Sequence, residues 1–381
     1  VLDGLRARGG GGSRRAAVAG AVVVGGLVAA NAGYGWWRLE GTGRGERLLG
    51  VVAIQTNLPQ DNKIGWSASA QAEDFAEFCR QTIAAVATTR AAGRRVDLVA
   101  WPETMLPGIG LEPATTAFLR RNDYWPGGRF AEGIAALAAG VETPILVGSA
   151  CFIDVDVVDG RWVYERQHNA AYLVEGEPPY QRYDKVFLTP FGEVMPYISR
   201  WSWLEERLLS LGAPGMSFAL APGASINRLD VSTDAGVVRI ATPICFEDTV
   251  GRVCRRMAWV DGVKAVDLFV NLSNDGWFGD HDGGRLQHAQ IARWRCIENR
   301  VPMVRCANTG LTVAIDAAGR IVERAGGAEP VLRAPASMWA EITRDDRRTL
   351  YGRVGETWAW LCVAAAAGLL VLTAVGSGDD G

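Results

Sequence analysis

Histidine is scarce in this chain: three in 381 residues, at 168, 281 and 288. The seven cysteines (79, 151, 245, 254, 296, 306 and 362) form no C-x-x-C pair. Structural zinc sites draw on closely spaced Cys and His, so no metal is expected. An odd number of cysteines also argues against a disulfide framework and leaves at least one free thiol. No charge of one sign dominates, because 39 basic and 42 acidic residues give a formal net charge of −3. The basic residues are scattered rather than striped, which excludes a nucleic-acid partner. No internal repeat is visible.

Two long runs have almost no charge. Residues 16–37 follow Arg6, Arg8, Arg14 and Arg15, and residues 357–375 carry Trp358 and Trp360 at their leading edge. Each approaches the roughly 20 residues that a helix needs to cross hydrocarbon. The Trp pairs at 36–37 and 358–360 sit where an aromatic belt would place them. The arginine cluster puts the N-terminus in the cytoplasm by the positive-inside rule. Two spans then leave the intervening residues on the extracytoplasmic face. A signal peptide ending near Ala30-Asn31-Ala32 is the competing reading of the first run. The second run at the far end favours a tethered protein. The expected layout is an N-terminal segment over 1–40 with its span at about 16–37, a catalytic domain over 48–345, and a C-terminal span over 357–375.

Between the spans, β-type runs and amphipathic helices alternate, an α/β signature. Strands are expected at 51–55, 96–101, 144–148, 170–174, 183–188, 267–271, 303–307 and 312–316, and helices at 70–92, 130–139 and 286–299. Residues 198–211 place Ile198, Trp201, Leu204, Leu208 and Leu211 at helical spacing. A surface helix packed on the core and an arm dipping into a membrane interface read the same here.

Three strand ends carry reactive groups: Glu103 in WPETMLPG, Lys185 in YDKVFLTPFGE and Cys245 in TPICFED. Cys245 ends the apolar run 237–244, and a helix is expected from Asp248 to Val260. A thiol at such a corner lies near the positive end of a helix dipole, which favours its ionised form. In α/β sheets, residues past strand C-termini line the ligand crevice. A carboxylate there can take the thiol proton, and a protonated lysine can stabilise an oxyanion. No histidine follows a strand in a comparable setting, which weakens a Cys-His pair.

WPE, a Lys eight residues before the Glu of PFGE, and CFE together resemble the Glu-Lys-Cys pattern of the nitrilase superfamily. NLSNDGWFGD (271–280) and QHAQIARWRCIENRVPMVRCANTGLTVAID (287–316) are similar to its apolipoprotein N-acyltransferase branch. The resemblance covers roughly residues 50–345 and implies a nitrilase-like αββα sandwich, here flanked by transmembrane helices. It implies Glu103 as base, Lys185 as oxyanion stabiliser and Cys245 as nucleophile, with Glu193 and Glu247 as supporting carboxylates and no cofactor. It further implies an enzyme of the cytoplasmic (inner) membrane acting on its periplasmic face. The acyl donor would be a membrane phospholipid, and the acceptor the N-terminal amine of a diacylglyceryl-cysteine lipoprotein. A hydrolase of small C–N substrates is the alternative. Members of that branch resemble proteins with several helices ahead of the catalytic domain, whereas this chain starts at Val1 with one; a truncated N-terminus or a reduced form is expected. Asn271, Asn274, Asp275 and Trp277 read as turn chemistry first and pocket residues second. His281 and His288 read as surface or hydrogen-bonding side chains. Trp66 and Trp101 line an acyl pocket or fill core, and the sequence leaves both open.

Overall fold

The computed structural model describes residues 12–41, 45–58, 66–123, 127–194, 220–234 and 236–376. The expected amphipathic helix at 198–211 lies outside them. The N-terminal unit is a single helix, Gly12–Leu39, with Val22, Val23, Leu27 and Val28 exposed along it. From Ala17 to Leu39 it is long and apolar enough to cross a membrane. Everything from Gly45 onward forms the second unit.

That unit is built on two six-stranded sheets. The first runs from edge to edge as Ala336–Thr343, Arg47–Gln55, Leu98–Ala100, Ile145–Ile153, Arg166–Val174 and Gln181–Asp184. Three of its inner strands, Arg47–Gln55, Leu98–Ala100 and Ile145–Ile153, are parallel, and the other pairings are antiparallel. The second runs Ile321–Arg324, Val313–Ile315, Met303–Ala307, Leu268–Ser273, Gly236–Ala241 and Leu229–Thr233. Here too the three strands nearest the middle are parallel, with antiparallel edges.

Alternation along the first strand shows how the layers form. Val51 and Ala53 pack into a core shared with Ile240, Leu268, Val270 and Val304 of the second sheet. Val52 and Ile54 point the other way, into a core with Phe78, Val86, Phe130 and Ile134 of the helices Ala68–Ala91 and Gly127–Gly140. A period-two strand buried on both faces must be covered on both. The outer face of the second sheet is covered by Gly251–Ala258 and Asp282–Asn299, whose Cys254, Met257, Ala289 and Ala292 are buried. The Cys306 thiol donates to the carbonyls of Ile54 and Ala100 at 3.3 Å each, tying the second sheet to the first. The result is the αββα sandwich that the resemblance implied.

Several expectations change. The strand at 183–188 ends at Asp184, since its register with Arg166–Val174, its partner among the described residues, stops at Ala170 with Asp184 and only the Lys185 N–H continues it, to the Asn169 backbone carbonyl. The expected helix 248–260 is a 3-10 turn over Cys245–Thr249, then a short helix Gly251–Ala258, then the first strand of a small hairpin. Val250, extended at ψ 93°, separates the turn from the helix. The edge strands Leu229–Thr233, Ile321–Arg324 and Ala336–Thr343 were not expected. Their solvent-facing positions dilute the apolar pattern that marks inner strands. The C-terminal helix spans Thr357–Gly376, with Trp358, Trp360, Leu361, Leu369 and Leu370 exposed. Its apolar stretch over Thr357–Val371 is shorter than the N-terminal one.

Candidate active site

The parallel strands of both sheets end on one side of the sandwich, and the predicted residues gather there. Glu103 follows Leu98–Ala100, Lys185 follows Gln181–Asp184, and Cys245 follows Gly236–Ala241. Glu103 rides on a loop that passes directly over Gly148. A Cβ on that glycine would lie 2.5 Å from the Pro102 carbonyl and 2.7 Å from the Glu103 Cα. Trp101, just before it, is fully buried, donates from Nε1 to the Thr82 hydroxyl at 2.9 Å, and meets Phe75 and Phe78 edge-on. Trp101 is therefore core. Trp66 is half-buried and bonds the Asp74 carboxylate at 2.7 Å.

Lys185 is the centre of the site. Its ammonium is buried, 2.7 Å from Glu193 Oε2 and 3.6 Å from Glu103 Oε1. Burial alone would lower its pKa, but the negative charges of Glu103 and Glu193 outweigh that and hold it above the ordinary lysine range. Glu193 is itself fixed by the backbone N–H of Thr189 at 2.8 Å. Burial pushes the Glu193 pKa up, and the Lys185 charge prevails in holding it below the usual carboxylate value.

Asn169, which the sequence reading missed, joins the two carboxylates. Its Nδ2 donates to Glu103 Oε1 at 2.8 Å and to Glu193 Oε1 at 3.0 Å. Its backbone carbonyl accepts the Lys185 backbone N–H at 2.9 Å. These contacts leave Glu103 Oε2 buried with no hydrogen-bond partner among the described residues. A base whose one oxygen is pinned and whose other is open is oriented to take a proton.

Cys245 stands at φ +48°, in the left-handed region that non-glycine residues enter at a cost of about 1–3 kcal/mol. The sharp turn is held by Glu247, two residues on. The Glu247 carboxylate accepts from Ile244 N, Val186 N, Phe187 N and the Tyr183 hydroxyl, all at 2.8–3.0 Å. One buried carboxylate thereby joins the Cys245 turn to the loop that follows Lys185. Burial pushes its pKa up to about 7, against the hydrogen bonds from Ile244 and Phe187 and the charge of Lys185. Phe246 also stacks on Phe187, with centroids 6.2 Å apart and planes 18° apart.

The thiol does not behave as the sequence suggested. Burial pushes the Cys245 pKa well up, the Glu103 charge adds to this, and Lys185 opposes it. A five-residue 3-10 turn supplies little dipole, so desolvation wins. Its surroundings favour the neutral thiol.

Behind the turn lies a second buried cluster. Asp275, the first residue of the 3-10 turn Asp275–Phe278, and His288, on the helix Asp282–Asn299, meet Asp248 and Arg305 there. Asn274 accepts from Gly276 N, the turn role expected of it, and Asn271 donates to the Pro243 carbonyl at 3.0 Å. Trp277 is exposed. His288 is buried and hydrogen-bonded rather than on the surface. Among the described residues no group of His, Cys, Asp and Glu could hold a metal ion.

The chain is similar to known proteins. The carbon-nitrogen hydrolase family profile matches residues 53–336. An apolipoprotein N-acyltransferase of Geobacter metallireducens is 32% identical over 345 residues, covering 90% of this chain and 56% of that protein. One from Chlorobaculum tepidum is 30% identical over 293 residues, covering 74% and 50%. The chain thus spans about half the length of the curated relatives it matches. Among solved structures, Saccharomyces cerevisiae Nit3 of the nitrilase superfamily aligns with 78% of this chain and 90% of its own, at 17% identity and a TM-score of 0.44. With its family profile matched over well more than half of its length, the chain belongs to the carbon-nitrogen hydrolase family.

Proposed function

We propose that the chain is the catalytic part of an N-acyltransferase working through a thioester on Cys245. The observation that carries this is the Glu103–Lys185–Glu193 cluster, gathered with Cys245 where the strands end. Glu103 Oε2 takes the thiol proton as the sulfur attacks an acyl ester carbonyl. The Lys185 ammonium stabilises the oxyanion that forms. Collapse breaks the C–O bond, and Glu103 returns the proton to the departing alcohol. An amine then attacks the thioester, Glu103 takes the amine proton, and breaking the C–S bond regenerates the thiol once that proton returns to sulfur. The two half-reactions share one covalent intermediate, so ping-pong kinetics follow.

The named relatives support the choice of substrates: a membrane phospholipid as donor and a diacylglyceryl-cysteine lipoprotein amine as acceptor. The apolar helices Gly12–Leu39 and Thr357–Gly376 support a membrane enzyme. Arg6, Arg8, Arg14 and Arg15, all ahead of the apolar stretch Ala17–Leu39, support a cytoplasmic N-terminus. The catalytic unit then lies on the extracytoplasmic side of the inner membrane. Incubation with phospholipid vesicles and a diacylglyceryl-cysteine peptide should yield an N-acylated peptide. Release of free fatty acid with no amide, or cleavage of small amides alone, would instead identify a hydrolase.

A further inference from the structure

Four charged side chains from four separate elements meet behind the Cys245 turn. Asp248 belongs to the turn itself, Asp275 follows the strand Leu268–Ser273, His288 sits on Asp282–Asn299, and Arg305 on Met303–Ala307. All four are buried. His288 Nε2 lies 2.7 Å from Asp248 Oδ1, and its Nδ1 lies 2.8 Å from Asp275 Oδ1. Arg305 Nη2 reaches both Asp275 oxygens at 2.8 and 2.9 Å, and its Nε lies 3.9 Å from Asp248 Oδ2. The Ser273 hydroxyl adds a bond to Asp275 at 3.0 Å. Gly310 makes room for Asp275, since a Cβ there would lie 2.3 Å from its Oδ2.

The carboxylates at both ring nitrogens favour a charged histidine. Arg305 Nη2 lies 2.9 Å from His288 Nδ1. Either neutral tautomer turns one ring lone pair toward a carboxylate oxygen, at Nδ1 toward Asp275 2.8 Å away or at Nε2 toward Asp248 2.7 Å away, an unfavourable acceptor pair. A doubly protonated ring donates to both carboxylates instead. Two cations then balance two anions in a site closed to water. Arg285, on the same helix, is directed elsewhere, to the Gly279 carbonyl and Asp282.

This balance reaches the thiol. The Asp275 charge pushes the Cys245 pKa up, and Arg305 also interacts with Cys245. Asp248 stands three residues after Cys245 within one turn. We propose that His288, as an imidazolium bridging Asp248 and Asp275, is a positioning residue that clamps the Cys245 turn and cancels carboxylate charge beside its thiol. The proposal rests on Cys245 being the nucleophile.

His288→Gln tests it, because the amide keeps one donor toward the carboxylates and removes the charge. Alkylation of Cys245 by iodoacetamide, read by peptide mass spectrometry across pH, needs no acyl substrate. Failure of the acyl-transfer reading would therefore leave this measurement intact. The variant is expected to alkylate about tenfold more slowly at pH 7.5, a shift of about one unit in the thiol profile. Its acylation kcat should fall in step, with the KM for phospholipid unchanged. A wild-type alkylation profile in the folded variant would overturn the proposal. On the unaltered chain, ¹⁵N-histidine NMR should show one ring protonated at both nitrogens at pH 8. Three neutral rings at that pH would overturn it too.

Discussion

The Lys185 ammonium lies 2.7 Å from the Glu193 carboxylate and 3.6 Å from that of Glu103. The lysine is thus held mainly by a carboxylate outside the proposed proton transfer, which leaves Glu103 free to change its protonation state. Lys185→Met would bury two carboxylates with no cation between them. Breaking a buried pair in this way costs about 3–5 kcal/mol. Urea unfolding should register that loss, and thioester formation should disappear. Glu193→Gln keeps the shape and should reduce acylation by about 10–100-fold, as Glu103 becomes the sole anion paired with the lysine. A Glu193→Gln enzyme of full activity would remove Glu193 from the site.

Glu247 makes a separate prediction. Glutamine there offers one acceptor oxygen to Ile244 N, Val186 N, Phe187 N and the Tyr183 hydroxyl, and turns an NH2 toward the rest. Each buried donor left unpaired costs about 1–3 kcal/mol. Glu247→Gln should lower the melting temperature markedly and slow Cys245 alkylation. Tyr183→Phe removes one donor only and should cost about 1 kcal/mol, with activity largely kept. Equal effects of the two substitutions would contradict a clamp built mainly on backbone N–H groups.

Stability should fall at both ends of the pH scale through the cluster behind the turn. Burial opposes ionisation of Asp275, but Arg305 and His288 hold its pKa down to about 2, from an ordinary 3.8. A lowered carboxylate pKa gives stability that is present above 3.8 and lost as pH falls through about 2, on the order of 2 kcal/mol. Burial opposes the His288 charge, but Asp248 and Asp275 raise its pKa to about 9, from 6.5. A raised histidine pKa gives stability that is full below 6.5 and lost as pH rises through about 9, on the order of 3 kcal/mol. Urea unfolding between pH 6 and 10 should show the alkaline loss in the parent chain and not in His288→Gln. The same slope in both would assign it to another group.

Gly148 supplies a steric test. Alanine there would press on Pro102 and Glu103 from below. Overpacking of this kind costs about 1–3 kcal/mol. Gly148→Ala should stay folded, with a shifted base and acylation at least tenfold slower. Unchanged acylation would mean that the Glu103 loop tolerates displacement.

The legible part of the site consists of residues whose neighbours in sequence announce them. Glu103, Lys185 and Cys245 each follow a strand inside a distinctive local motif, so topology alone brings them to one end of the sandwich. Asn169 gave no such signal. It is one of the polar residues Arg166, Gln167, His168 and Asn169 that open a strand, and only the pairing of that strand with Ile145–Ile153 and Gln181–Asp184 aims it at the two carboxylates. The Asp248–His288–Asp275–Arg305 cluster was hidden for the same reason. Its members lie on four elements, and each alone reads as a turn residue or a solvated charge. The ionisation of Cys245 was misread because a helix dipole is visible in sequence while desolvation is not. The edge strands were missed because half of their side chains face water.

The central claim is that Cys245 carries the acyl group. The most direct measurement is intact-protein mass spectrometry after incubation with phospholipid vesicles and no amine acceptor. One acyl chain should appear, map to the Cys245 peptide, and be discharged by hydroxylamine or by a diacylglyceryl-cysteine peptide; Cys245→Ala should show none. An unmodified Cys245 in an otherwise active enzyme, or an acyl group on Cys245→Ala, would contradict the account.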